Sequence, residues 1–280
     1  MRQVLKHIRK TLWRALDHDV FNTAKAAAYS GMLCFFPALL VMAAVVARLP
    51  QGQSLVGDIR GSVIEVLPPG SLNLFEMSMN AGRARSIQVI LSATSLAVFA
   101  GLGVMLSLME GFRRAYGVRR DNWGFWKKRL RALMLVPIVL LPLWGASLLL
   151  VFGHEIEVTM IGRAGHELKY LVLLFWRLGR WMLAVATAIS VLSALYHFGT
   201  RRTEHWTWVL PGSVAAMLVW FPSTLAFGFY VTRVADYSRF YGSFAAGIAT
   251  LVWLYLTSFS ALLGAELNGV LYEERAELRP

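Results

Sequence analysis

Six long apolar runs limit what this chain can fold into. Ala26–Ala47, Ser86–Met109, Ala132–Gly153, His205–Thr232 and Phe240–Ala265 contain no charged residue. A sixth run, from Tyr170 to Thr200, is interrupted only by Arg177 and Arg180, which leaves Trp181–Thr200 uncharged. A helix rises about 1.5 Å per residue, so roughly 20 apolar residues cross a hydrocarbon core. A soluble domain would show amphipathic helices instead, with charges every few residues. The expected fold is all-α: a polytopic membrane protein with six transmembrane helices, an N-terminal amphipathic helix and short periplasmic helices. The spans fall at about 26-49, 86-110, 132-153, 173-199, 207-231 and 243-268, so the membrane domain covers 26-271. Residues 1-25 form the amphipathic segment, and 272-280 form a tail. Little chain is left for an extramembrane catalytic domain.

Charge sets the expected orientation. An even number of spans puts both termini on one side. That side carries 18 Lys and Arg, eight of them between Arg113 and Arg131, against 8 in the opposite loops. The positive-inside rule then puts both termini in the cytoplasm, and the inner membrane is the expected location. The first apolar run is long enough to remain as a span, so no cleavable signal peptide is expected. Cys34 is the only cysteine and forms no intramolecular disulfide.

The connecting segments carry further pattern. Val4, Leu5, Ile8, Leu12, Ala15 and Leu16 share a helical face bordered by Lys6, Arg9, Lys10 and Arg14. Such a helix lies among headgroups with its apolar side down. Asn22 or Thr23 is the expected cap of the first span. In the loop 50–85, Val56, Ile59, Val63, Val66 and Leu67 recur at helical spacing before a turn at Pro68-Pro69-Gly70, and a second short helix is expected over about 71–82. Gly242, Ala245, Ala246 and Ala249 on the last span, and Gly101 and Gly103 on the second, permit close helix approach.

The motifs resemble a known family. Ala26-Ala27-Ala28-Tyr29 and Phe35-Phe36-Pro37 are similar to the first-span signature of the YihY/BrkB family of bacterial inner-membrane proteins. Leu195-Tyr196-His197-Phe198, Trp208, Pro211-Gly212-Ser213, Trp220, Tyr241-Gly242-Ser243 and Leu263-Gly264-Ala265-Glu266-Leu267-Asn268 follow in that family's order. One departure is visible: Gly199-Thr200 stands where the family usually has Pro-Asn. The resemblance implies a six-span inner-membrane protein. Members have carried the name ribonuclease BN, have been described as virulence or serum-resistance factors, and have been connected with envelope lipid transport.

Polar residues at span ends are the site candidates. Lys25, Tyr29, Glu110, Tyr196, Glu266 and Asn268 fall at similar depth near the cytoplasmic ends. An ionisable group in a span usually faces the bundle interior and has a partner. These residues either shape a polar vestibule, or Glu110 and Glu266 pair with Lys25 or loop arginines and lock helices together. Arg177 and Arg180 share a helix face near the periplasm. Facing inward they make an anion site; facing lipid they snorkel to phosphates. The basic-aromatic loop Arg113–Arg131 points to anionic lipid headgroups rather than RNA. No metal-ligand spacing, phosphate loop or converging carboxylate set is visible, so neither a cofactor nor enzyme activity is expected, ribonuclease included. The expected function is transport, or assistance to transport, of an anionic envelope lipid or similar amphiphile; the alternative is a scaffold that binds envelope proteins. Membrane lipids are the expected partners, nucleic acid is not, and a homo-oligomer is compatible with the sequence.

Overall fold

The computed structural model describes residues 2–46, 87–118, 123–163, 169–200, 205–234 and 244–277. The two short helices expected within 50–85 lie outside them. Seven α-helices follow in order: α1 (Arg2–Asp17), α2 (Val20–Val46), α3 (Ile87–Ala115), α4 (Phe125–Arg163), α5 (Lys169–Gly199), α6 (Leu210–Phe229) and α7 (Ala245–Glu277). A 3₁₀ turn, Trp206–Trp208, leads into α6, and a π-turn, Tyr230–Val234, follows it. The described residues thus form an all-α polytopic membrane fold.

Among the described residues, five segments are long and apolar enough to cross a bilayer: Val20–Val41, Ile87–Ala115, Leu174–Gly199, Trp206–Arg233 and Ala245–Glu277. The expected sixth span, 132-153, lies within α4. Boundaries differ from the sequence expectation at several ends. The first membrane helix begins at Val20 rather than Ala26, and neither Asn22 nor Thr23 caps it. The chain breaks at His18 and Asp19 instead, where Asp19 takes a φ of 58°. Aspartate tolerates this left-handed conformation better than most residues. The Asp19 carbonyl accepts hydrogen bonds from the Thr23 N–H (3.1 Å) and hydroxyl (3.0 Å), and its carboxylate accepts one from the Asn22 amide (2.7 Å).

The long helices close a ring in chain order. α2 packs on α3, α3 on α4, α4 on α5, α5 on α6, α6 on α7, and α7 returns to α2. α3 also meets α5 and α7. The ring is sealed unevenly. The buried apolar core gathers at the end where α1 lies, around Met109, Phe112, Leu135, Leu195, Tyr196 and Leu262. Toward the far end, no described side chain of α5 between Leu174 and Ser190 is buried, whereas Val191 and Ser193 through Tyr196 all are. A helix in a sealed bundle buries one face along its whole length. Over more than four turns α5 does not.

Candidate functional site

Membrane helices lack a hydrophobic force between them, so close contact relies on small residues and interhelical hydrogen bonds. The α1 end shows both. A Cβ added to Gly212 of α6 would overlap the Gly264 carbonyl and the Asn268 side chain. One added to Gly264 of α7 would overlap the Gly212 carbonyl, and would lie 2.6 Å from the Tyr196 hydroxyl and 2.8 Å from the Ala216 methyl. Gly269 admits the Ala115 carbonyl of α3 in the same way.

Two of the sequence candidates, Asn268 and Tyr196, are buried in this seam. Asn268 uses both ends of its amide. Its Oδ1 accepts the Gly212 N–H at 2.8 Å, and its Nδ2 donates to the Val209 carbonyl at 3.0 Å. It thus satisfies an N–H of the α6 first turn that has no partner within its own helix. Tyr196 is fully buried. Its hydroxyl donates to the Ala261 carbonyl at 2.6 Å, and its ring meets Phe112 edge-on at 5.1 Å. Ser193 and Ser213 join α5 to α6 through a 2.8 Å hydroxyl pair. Gly199, at the position of the family's proline, packs under Phe112; an added Cβ there would lie 3.2 Å from the ring.

Glu266 is also fully buried, yet its partners come from α1. His18 Nδ1 lies 2.8 and 3.0 Å from the two carboxylate oxygens, and Arg14 Nε lies 3.4 Å away. Arg14 reaches Glu273 at 2.6 Å and donates to the Ala115 carbonyl at 2.8 Å. One arginine therefore ties α1 to α3 and α7. Glu110 belongs to a separate set on α3 and α4: Arg113 at 2.6 Å, Lys128 at 3.4 Å and Arg114 at 3.5 Å. Its carboxylate is half-buried, and Arg113 also donates to the Val118 carbonyl at 2.7 Å, folding the chain back after α3.

Lys25 and Tyr29 are elsewhere. Lys25 is exposed and donates to Asn22 Oδ1 at 3.1 Å, so it is not the partner of Glu110 or Glu266 that the sequence suggested. Tyr29 is 64% exposed. The six residues expected near one vestibule are thus divided among a buried seam, two ion-pair sets and an outer face. The ion partners Arg14 and His18 were missed. Their signal was present: 14 and 18 share a face of α1, as 266, 273 and 274 do on α7.

At the far end Arg180 is half-buried. It falls with Trp176, Ala184, Thr187 and Val191 on the less exposed face of α5, three or four residues apart. The Arg177 side chain lies outside the described residues. Between the two ends, α6 and α7 face each other rung by rung. The Trp220 indole N–H donates to the Thr257 hydroxyl at 3.0 Å. One turn farther from α1, Thr224 Oγ1 and Trp253 Nε1 are buried without a hydrogen-bond partner. Among the described residues no group of three His, Cys, Asp or Glu side chains is placed to hold a metal ion.

Comparison with known proteins places these features in a family. The family described as Virulence factor BrkB matches residues 11–280. A ribonuclease-like protein of Bacillus subtilis, YfkH, is 28% identical, with 97% of each chain covered. A UPF0761 membrane protein of Aromatoleum aromaticum is 29% identical over 92% of this chain, and one of Chromohalobacter salexigens is 25% identical over 97%. The chain spans 62% and 64% of the length of those two relatives. No solved structure matches it. The match runs from Thr11 to the last residue and takes in the whole seam around Tyr196, Gly212 and Asn268; the chain belongs to the BrkB family of multi-pass membrane proteins.

Proposed function

We propose that this protein moves, or helps to move, an anionic amphiphile of the phospholipid type across the bacterial inner membrane. In this reading it has six spans, with both termini in the cytoplasm. The observation that carries the reading is the uneven seal of the ring. The α1 end is closed by glycine contacts and ion pairs, while α5 buries no described residue between Leu174 and Ser190. Apolar helix faces left unburied suit acyl chains, and Arg180 on the less exposed face of α5 supplies a cation for a phosphate. Arg180 lies 19 residues from Gly199, so it stands roughly 28 Å from the sealed end. The ribonuclease-like name of the Bacillus relative is not carried over, because Glu110 and Glu266 stand in separate ion-pair sets instead of converging on one pocket.

A scaffold role is the second reading. It draws on the fate of Glu110, Tyr196 and Asn268, whose polar groups are all engaged in helix contacts.

Reconstitution separates the two. With a membrane-impermeant reductant added outside, proteoliposomes with fluorescent phosphatidylglycerol should lose outer-leaflet signal as protein-free vesicles do, and should then lose inner-leaflet signal faster than they do. Arg180→Gln should slow this about ten-fold at equal insertion. Arg180→Lys should slow it less, since it keeps charge but loses the planar fork. Wild-type protein indistinguishable from empty vesicles would leave the scaffold reading; movement insensitive to both variants would remove Arg180 from the path.

Orientation has its own test. Reporter fusions after Arg60, Arg163 and Asp236 should report the periplasm, and fusions after Asp121, Glu204 and Arg279 the cytoplasm. The reverse pattern would exchange the two ends of the proposed path.

A further inference from the structure

Helix α1 has two faces with different partners. One carries His7, Lys10 and Arg14, continued by His18 just past the helix end, and these meet Glu274, Glu273 and Glu266 of α7 in antiparallel order. The spacings are His7–Glu274 2.6 Å, Lys10–Glu273 3.5 Å, Arg14–Glu273 2.6 Å and His18–Glu266 2.8 Å. The other face carries Leu5, Ile8, Leu12, Trp13 and Leu16, exposed by 49% to 66%. An apolar stripe on a cationic helix fits the boundary between headgroups and acyl chains.

The attachment of α1 to the bundle is therefore mainly polar, and most of it is weak. Lys10, Glu273 and Glu274 are partly exposed, and such pairs contribute little and are screened by salt. Ala15 is the α1 residue that enters the buried apolar core. The exception is Glu266, fully buried, whose partners among the described residues are Arg14 and His18. Only His18 and Asp19 join α1 to α2, and Asp19 already sits at positive φ. A short break of this kind is where a hinge absorbs rotation. Lys6 and Arg9 are exposed on the same helix. A lipid phosphate offers these cations the same chemistry as the glutamates of α7.

We propose that α1 is a detachable latch, and that an anionic lipid surface competes with Glu266, Glu273 and Glu274 for its basic residues. Docked, α1 covers Glu266 and the Ala115 carbonyl at the sealed end of the ring. Released, it lies wholly on the leaflet and uncovers both. The proposal goes beyond the transport reading and does not depend on what the bundle carries.

Spin labels at Gln3→Cys and Glu277→Cys report the distance between α1 and the end of α7. The background is Cys34→Ser, which removes the only other cysteine. In nanodiscs of phosphatidylcholine alone, one short distance is expected. With half the lipid replaced by phosphatidylglycerol, a second, longer population should appear. Glu266→Gln should raise that population several-fold. Glu273→Gln with Glu274→Gln, which leaves the buried core intact, should raise it in the same direction if Glu266→Gln fails to fold. A single short distance in both lipids and all variants would overturn the latch. A long population of equal size in the two lipids would overturn the anionic surface as the competitor.

Discussion

Replacing Gly264 by leucine is expected to abolish the folded protein, and replacing it by alanine to lower its stability by about 1–3 kcal/mol. The reason is backbone against backbone. An alanine Cβ at 264 would overlap the Gly212 carbonyl and crowd the Tyr196 hydroxyl and the Ala216 methyl. None of these is the free end of a flexible chain. The two helices would have to separate, and the Asn268 bonds to Gly212 and Val209 lie in the same seam. Gly212→Ala should behave alike, and the double variant should cost less than the sum, since one displacement relieves both. Gly145→Ala and Gly228→Ala are the controls. An added Cβ meets nothing within 4 Å at either site, so both should stay within about 0.5 kcal/mol of the parent. Thermal unfolding in detergent decides it: equal midpoints for Gly264→Ala and Gly145→Ala would refute the seam.

Arg14→Met is expected to have the second-largest effect, on α1 itself. Arg14 is 13% exposed and serves Glu266, Glu273 and the Ala115 carbonyl together. Removing one member of a buried ion pair typically costs about 3–5 kcal/mol. His18 remains beside Glu266, so the lower figure applies. Near 1.4 kcal/mol per factor of ten, amide exchange across α1 should quicken about a hundred-fold. Lys10→Met removes a pair between groups 37% and 45% exposed, and should quicken exchange less than about five-fold. Arg14→Lys should fall between, since one ammonium cannot reach all three acceptors. If the Arg14 and Lys10 variants exchanged α1 amides at the same rate, Glu266 would not be the anchor of the helix.

Much of the fold was legible because the bilayer simplifies the problem. A membrane span must be apolar over roughly 20 residues and must satisfy its own backbone, so a charge-free run names its own helix. The ends were less legible. Ala26 looked like a start because Lys25 is charged, yet α2 begins at Val20, where the Asp19 carbonyl collects two bonds from Thr23. Hydropathy reports the solvent around a helix; its first turn is set by local hydrogen bonds. The amphipathic pattern of α1 was visible, and its apolar stripe is indeed exposed. The pattern alone makes its basic residues a border to lipid, whereas His7, Lys10, Arg14 and, just past the helix, His18 turn to the glutamates of α7.

The candidate residues divide along the same line. The sequence alone singled out Lys25, Tyr29, Glu110, Tyr196, Glu266 and Asn268, because a polar group in or beside an apolar run costs free energy unless it has a partner; the last four have helix-joining partners, and Lys25 and Tyr29 are exposed. It also determined that the chain is helical and crosses the membrane, since those follow from composition within one segment. Which partner each polar group takes was decided only by the tertiary structure. Glu266 meets Arg14 across 252 positions of chain and Glu110 meets Arg113 across three, and no local pattern distinguishes the two outcomes. The ring order and the glycine seam are likewise products of how helices distant in sequence meet. Helix packing depends on the shapes of two surfaces at once, and a single segment specifies only one of them.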